Sequence, residues 1–109
     1  MIRPGFVLQA VLTKRVFPKA VARIGFTASK KVGNAVCRAR AKRRLRPLGQ
    51  RYMDKFGMAG VDYVFVARTK ILDYPADKLE SEFQFAIWEA NKLLRKEEKD
   101  RKEKDDKTP

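Results

Sequence analysis

Histidine is absent from all 109 residues, and cysteine occurs once, at Cys37. The first absence excludes imidazole acid–base chemistry, histidine-based catalytic triads and the usual Cys/His zinc sites. The second excludes an intramolecular disulfide and suits a reducing compartment. Cys37 falls inside a helical pattern with no base nearby in sequence, so it is expected to be an inert small residue. No apolar run approaches the ~18 residues that a membrane-spanning helix requires, and no signal-peptide pattern is visible. A cytoplasmic protein with no membrane partner is the expectation. The scarcest feature is negative charge at the front of the chain. Asp54 is the only acid among residues 1–55, against fifteen Lys and Arg. The net charge of +13 therefore divides into +14 for that half and −1 for the rest. A folded domain with so much unbalanced charge repels itself, so a polyanion is the expected partner. Nucleic acid leads, and an anionic membrane surface is second.

What is present fits one small domain. An apolar fraction of 44% is that of a globular chain and not of a disordered basic tail. Phe6 to Leu12, after Pro4-Gly5, reads as a strand, and Arg23 to Ser29 as a second with Ile24, Phe26 and Ala28 on one face. The basic connection between them, marked by Lys14-Arg15 and Pro18-Lys19, suits a hairpin with a longer loop. Gly33 gives backbone freedom and Asn34 is a good N-cap for a helix from Ala35 to about Met53. Ala41, Leu45, Leu48 and Tyr52 fall within an arc of roughly 60° on that helix and form its core stripe. Pro47 should kink or break it. Asp62 to Arg68 is an apolar, β-rich run long enough to be buried on both faces. Pro75 and Asp77 suit the first turn of a last helix, with Leu79, Phe83, Ala86, Ala90 and Leu93 facing the core and Phe85 and Trp88 widening that stripe. The order strand, strand, basic helix, strand, helix predicts an α/β (α+β) two-layer sandwich, with a small mixed sheet, a basic crossover helix and a C-terminal helix. Residues 1–95 form the single domain. Residues 96–109 hold six basic and six acidic side chains and nothing apolar, so a frayed helix or a disordered tail is expected there.

Function concentrates in one segment. Six of the nine residues from Arg38 to Arg46 are basic, and no Asp or Glu occurs before Asp54 to relieve them. A solvated helix face is the ordinary explanation of a charge run, but such faces usually interleave acids. Here the pairs Arg38–Lys42 and Lys42–Arg46 repel at i, i+4, which favours a phosphate-binding face. Arginine outnumbers lysine within it, which fits bidentate phosphate contact and stacking on exposed bases. Lys30-Lys31 and the helix N-terminus extend the anion-binding surface.

The block Arg23 to Arg46 (RIGFTASKKVGNAVCRARAKRRLR) closely resembles the signature of the bacterial ribonuclease P protein component family: a strand ending in Ser-Lys-Lys, then Val-Gly-Asn-Ala-Val, then a helix with Arg-Asn-Arg and Lys-Arg pairs. Asp62 to Arg68 is similar to the family's last strand and Phe6-Val7-Leu8 to an earlier one, so the likeness spans about residues 3–95. It implies a subunit that binds ribonuclease P RNA, one protein per RNA, and contacts the 5′ leader of precursor tRNA beside the sheet. The RNA performs the endonucleolytic step of tRNA 5′ maturation, with Mg²⁺ held mainly by RNA and not by a protein site. The RNA-binding positions that the resemblance carries over are Lys30, Lys31 and Asn34 in the turn and Arg38, Arg40, Lys42, Arg43 and Arg46 on the helix, with Arg68 counted beside them. Gln9, Val11, Thr27 and Lys31 fall where similar proteins contact leader. No protein residue is expected to be catalytic.

Three departures stand out. Ala39 replaces the middle Asn of Arg-Asn-Arg, Gln9 stands where an aromatic is common, and the family's N-terminal helix has no counterpart ahead of Phe6. The charge pattern by itself equally permits a non-enzymatic ribosomal or tRNA-binding protein. A membrane-surface protein would need the basic helix to turn its apolar stripe to lipid, yet that stripe is needed on the sheet. A protein enzyme is disfavoured because no nucleophile–base constellation is visible.

Overall fold

The computed structural model describes residues 1–12, 22–58 and 60–106, with side chains up to residue 97. The basic connection at Lys14-Arg15 and Pro18-Lys19 lies outside the described residues. Three strands, Phe6–Leu12 (β1), Arg23–Ala28 (β2) and Val61–Ala67 (β3), form one mixed sheet in the order β1-β3-β2. β1 is antiparallel to β3, and β2 is parallel to it. The helix Ala35–Phe56 (α1) joins the parallel pair, and Ala76–Asp106 (α2) follows β3. Single 3-10 turns, Lys30–Val32 and Thr69–Leu72, lead out of β2 and β3. The result is a two-layer α/β sandwich.

The expected β1–β2 hairpin does not form, because β3 lies between the two strands. β3 is the most deeply buried of the three and takes the central place, where both of its edges are hydrogen-bonded. β2, with Arg23 and Thr27 exposed, is suited to an edge. Nor is β3 buried on both sides. Val61, Tyr63, Phe65 and Ala67 are fully buried, whereas Asp62, Val64 and Val66 are half-buried. The two-residue period of the strands explains the split. One face carries the rows Phe6–Ala67–Ala28, Leu8–Phe65–Phe26 and Ala10–Tyr63–Ile24, and both helices pack on it. The other carries Val7–Val66–Thr27, Gln9–Val64–Gly25 and Val11–Asp62–Arg23, and is open.

Aromatic contact organises the packed face. Phe65 stacks on Phe83 of α2 with centroids 4.3 Å apart, and Phe6 leans on both rings at 5.6 and 5.8 Å. In α1 the stripe Ala41, Leu45 and Leu48 is buried, joined by Gly49 and Met53, while Tyr52 is half-buried. The helix continues without a break through Pro47, whose ring is exposed. The lost hydrogen bond is offset by the buried residues on both sides of it. In α2 the core positions are Leu79, Phe83, Ala86, Ile87, Ala90 and Leu94. Leu93, expected to face the core, is exposed with Leu94 buried in its place, and Phe85 and Trp88 do not widen the stripe. At 100° per residue both point about 150° away from its centre. The α2 helix extends through the charged segment to Asp106.

The turn before α1 is fixed by two residues. Gly33 has φ +132°, a conformation that a side chain disfavours, and a Cβ there would lie 3.1 Å from the Cβ of Cys37. Asn34 Oδ1 accepts the Cys37 backbone N–H at 3.0 Å and caps the helix. Gly33→Ala should therefore lower stability by about 1–3 kcal/mol, measured by chemical denaturation. An unchanged midpoint would mean that the turn relaxes freely.

Candidate nucleic-acid interface

The basic residues of α1 do not share one fate. Angular position decides it. Arg38, Lys42, Arg43 and Arg46 fall on the side of the helix turned toward the β2 edge. With Thr27, Ala28 and Ala39 they line an open groove of about 460 Å³. Arg40 is exposed on a different side of α1 and does not line this groove. Arg44 turns inward instead. Its guanidinium donates to the carbonyl oxygens of Ile71 and, at 2.6 Å, Tyr74, clamping α1 to the segment that follows β3. Arg51 pairs with Glu80 at 2.5 Å. The Tyr52 hydroxyl also donates to Glu80, and these two partners hold the Glu80 carboxyl below its usual range, Tyr52 contributing first.

A second cationic groove of about 600 Å³ lies at the end of the sheet where β2 and β3, being parallel, both finish. It is lined by Lys31, Arg68, Lys70 and Arg3 together with Ser29 and Thr69. Thr69 Oγ1 donates to the Lys31 carbonyl at 3.2 Å and Arg68 Nη1 to the Arg3 carbonyl at 3.0 Å, so the three chain segments are tied together. Lys30 is exposed on the turn that joins this end of the sheet to α1. Sequence reading missed Lys70 and Arg3. Their proximity to Lys31 follows only from the strand order, which places the start of β1 and the ends of β2 and β3 at one edge.

Gln9, Val11 and Thr27 share the open face of the sheet, with β3 between the first two and the third. Lys31 lies past the end of β2, in the second groove. A Cβ built on Gly25, in the same row as Gln9 and Val64, meets nothing within 4 Å. The face is a shallow apolar and polar platform, bordered at Thr27 by the cations of α1.

The electrostatics of these surfaces is one-sided. Among the described residues, the ion pairs are Arg3–Glu89, Arg23–Asp62 and Arg51–Glu80. None involves Lys30, Lys31, Arg38, Arg40, Lys42, Arg43, Arg46 or Arg68. Arg38 is half-buried, and its Nε is buried with no hydrogen-bond partner. A buried guanidinium N–H left unmatched is costly, and an anion in the groove would satisfy it. The acids of α2 neutralise Arg51 and, in the second groove, Arg3, and leave the cations of the α1–β2 groove alone.

Residues 2–91 match the family model described as Ribonuclease P. The chain belongs to the Ribonuclease P family. Among curated members, the ribonuclease P protein component of Paramagnetospirillum magneticum is 45% identical over 73 residues, covering 66% of this chain and 55% of that protein. The component of Ruegeria pomeroyi is 43% identical over 74 residues, covering 68% and 54% respectively. The chain thus spans about half the length of these relatives. Among solved structures, a Staphylococcus aureus RNase P protein superposes with a TM-score of 0.66 at 23% identity, over 84% of this chain and 73% of that one. The RNase P protein from Thermotoga maritima does so with a TM-score of 0.64 at 19% identity, over 80% and 78%. At those identities the likeness establishes a Ribonuclease P protein fold.

Within this Ribonuclease P family member, Arg43 and Arg44 are neighbours in sequence with opposite tasks. Arg44→Ala should cost about 1.5–3 kcal/mol of stability, since it removes charged hydrogen bonds to two carbonyls. Arg43→Ala should leave stability within about 0.5 kcal/mol of the parent and weaken polyanion binding. Thermal melts and filter binding on both variants check this. Equal melts would remove the clamp assignment.

Proposed function

We propose that this chain acts as the protein subunit of ribonuclease P. It binds the catalytic RNA, one protein per RNA, and assists Mg²⁺-dependent removal of the 5′ leader from precursor tRNA in the cytoplasm. The observation that carries this reading is the groove in which Arg38, Lys42, Arg43 and Arg46 converge beside Thr27, with no ion pair to an acid among the described residues. Unpaired guanidinium groups held by a folded scaffold are suited to RNA phosphates, and each phosphate engaged contributes a salt-dependent increment of affinity. The adjoining open face, with Gln9, Val11 and Thr27, is shallow and carries no aromatic side chain in its strand rows. It suits a single strand followed mainly through its backbone. The second groove, with Lys31, Arg68 and Lys70, continues the cationic surface around the end of the sheet.

Among the described residues no group of three or more Asp, Glu or Cys stands together that could hold a metal ion. In this reading Mg²⁺ is held by RNA and substrate phosphates. What the chain contributes is binding and orientation of RNA. A lipid-surface role is disfavoured because the apolar stripe of α1, Ala41, Leu45 and Leu48, is consumed by the core.

Reconstitution tests the proposal. Adding the protein to a bacterial ribonuclease P RNA at low Mg²⁺ should raise precursor-tRNA cleavage above that of RNA alone, and no increase would overturn it. Replacing Arg38, Lys42 and Arg46 together with Ala should weaken RNA binding and flatten its dependence on salt. The log–log slope should fall by roughly 0.7–0.9 for each RNA phosphate that is no longer neutralised. An unchanged slope would assign those charges to solvent.

A further inference from the structure

On the side of α2 turned away from the core, Phe85 and Trp88 stand 49% and 57% exposed, with ring centroids 5.8 Å apart. A helix ordinarily spends such rings on its buried stripe, but that stripe is already filled. With Phe56 from the last turn of α1, 46% exposed, they line an open groove of about 740 Å³. The charged side chains lining it are Lys55, Lys92 and Arg95, and no carboxylate is among its lining residues. Lys92 Nζ sits 5.2 Å from the centroid of the Trp88 ring. The neighbouring Glu89 is engaged by Arg3, whose guanidinium lies 5.1 Å over Phe85.

The floor of the groove is braced by buried polar contacts. Asn91 Nδ2 donates to the Phe56 carbonyl at 2.7 Å, and its Oδ1 accepts from the Tyr63 hydroxyl. That hydroxyl in turn accepts the Met58 N–H at 3.0 Å. Exposed rings and cations are thus presented by a fixed scaffold, at little further ordering cost on binding.

We propose that this groove is a separate contact for single-stranded RNA, stacking bases on Phe85 and Trp88 while Lys55, Lys92 and Arg95 hold the adjoining phosphates. Aromatic faces beside uncompensated cations are the chemistry of sequence-tolerant single-strand binding. The volume falls within the range of pockets that take ligands of nucleotide size. A second copy of the chain would bring two faces of like positive charge together, which disfavours self-association here. The groove is distinct from the interface above. Its lining shares no residue with either cationic groove, and Lys55 follows Arg46 by nine residues, about 13.5 Å along α1.

Trp88 is the chain's only tryptophan, so its emission reports on the groove directly. The test titrates the full chain with a hexameric oligoadenylate at low salt, following Trp88 emission together with the anisotropy of the end-labelled oligomer. Quenching that saturates along with the anisotropy is expected. Phe85→Ala, and Lys92→Glu with Arg95→Glu, should each weaken binding roughly fivefold or more. These side chains are on the surface, and far-UV circular dichroism verifies that the variants stay folded. An abasic hexamer of equal charge should bind without quenching, and Arg38→Ala with Lys42→Ala and Arg46→Ala should retain quenching at saturation. The proposal is overturned by absence of binding, by binding that leaves Trp88 emission unchanged, or by groove variants that bind like the parent. Emission that changes with protein concentration alone would assign the groove to a second copy and overturn it too. Cleavage assays with ribonuclease P RNA do not enter this test, so its outcome stands apart from the proposed function.

Discussion

At Gly49 the backbone of α1 comes so close to β2 that a Cβ would fall 2.4 Å from the tip of the Phe26 ring and 3.0 Å from Ile24 Cδ1. Glycine there lets the helix settle on the strand, and Phe26 passes that contact inward by stacking on Phe65 at 5.9 Å. The spacing between α1 and the β2 edge follows from this approach. So does the groove at that edge, because Arg38, Lys42, Arg43 and Arg46 sit on the flank of α1 next to the buried stripe. A helix held further out would present the same cations as a solvated face with no strand beside them. Thr27 belongs to the groove only because its neighbours Phe26 and Ala28 are turned under the helix.

The distribution of acids is a second constraint that depends on the first. The C-terminal half carries nearly all the carboxylates, and α2 lies on the same face of the sheet as α1. Neutralisation of the basic helix was therefore physically available. On that helix it occurs at Arg51, through Glu80, and off it Glu89 engages Arg3. Neither lines the α1–β2 groove. The groove keeps its repulsion, which costs folding free energy at each i, i+4 pair of cations and is tolerated because Ala41, Leu45 and Leu48 anchor the helix.

Much of this was legible in the sequence because it is local. Strand β1 has the bounds its β-formers predict, Gly33-Asn34 punctuates where expected, and the stripe Ala41, Leu45 and Leu48 follows from helical period alone. The pairing of β1 with β3 was not legible. A long basic connection reads as a hairpin loop, and the pairing of β3 with both other strands, which no local pattern specifies, overrides it. The helical run through Pro47 is likewise a tertiary effect, since packing on both sides outweighs a local break. Within the candidate interface, the flank Arg38, Lys42 and Arg46 could be read from spacing, and so could the exposure of Arg40, whereas Arg43, which helical spacing sets nearer Arg40, joins the groove in the structure. The second groove could not, because Lys31, Arg68, Lys70 and Arg3 meet only when parallel strands end together. Phe85 and Trp88 were misread for a different reason: aromatic residues on an amphipathic helix suggest core, and only their angle, opposite Phe83 and Ala86, says otherwise.

Composition counts Arg38, Arg43, Arg44 and Arg51 as one kind of residue, yet the fold makes them different groups. Arg44 donates to two carbonyls and is part of the structure. Arg51 shares a carboxylate with a tyrosine and is neutralised. Arg38, with a buried Nε lacking a partner, and Arg43, in the open groove, retain donors for something outside the chain. The free donors carry the repulsion, and the satisfied ones hold the framework that keeps them together. A polyanion that fills the groove would relieve that repulsion and satisfy Arg38 at once. Binding and folding then draw on the same free energy, as linkage requires of any ligand that prefers the native state. The excess positive charge of the first half is thus stored at the places where the fold has withheld an internal partner.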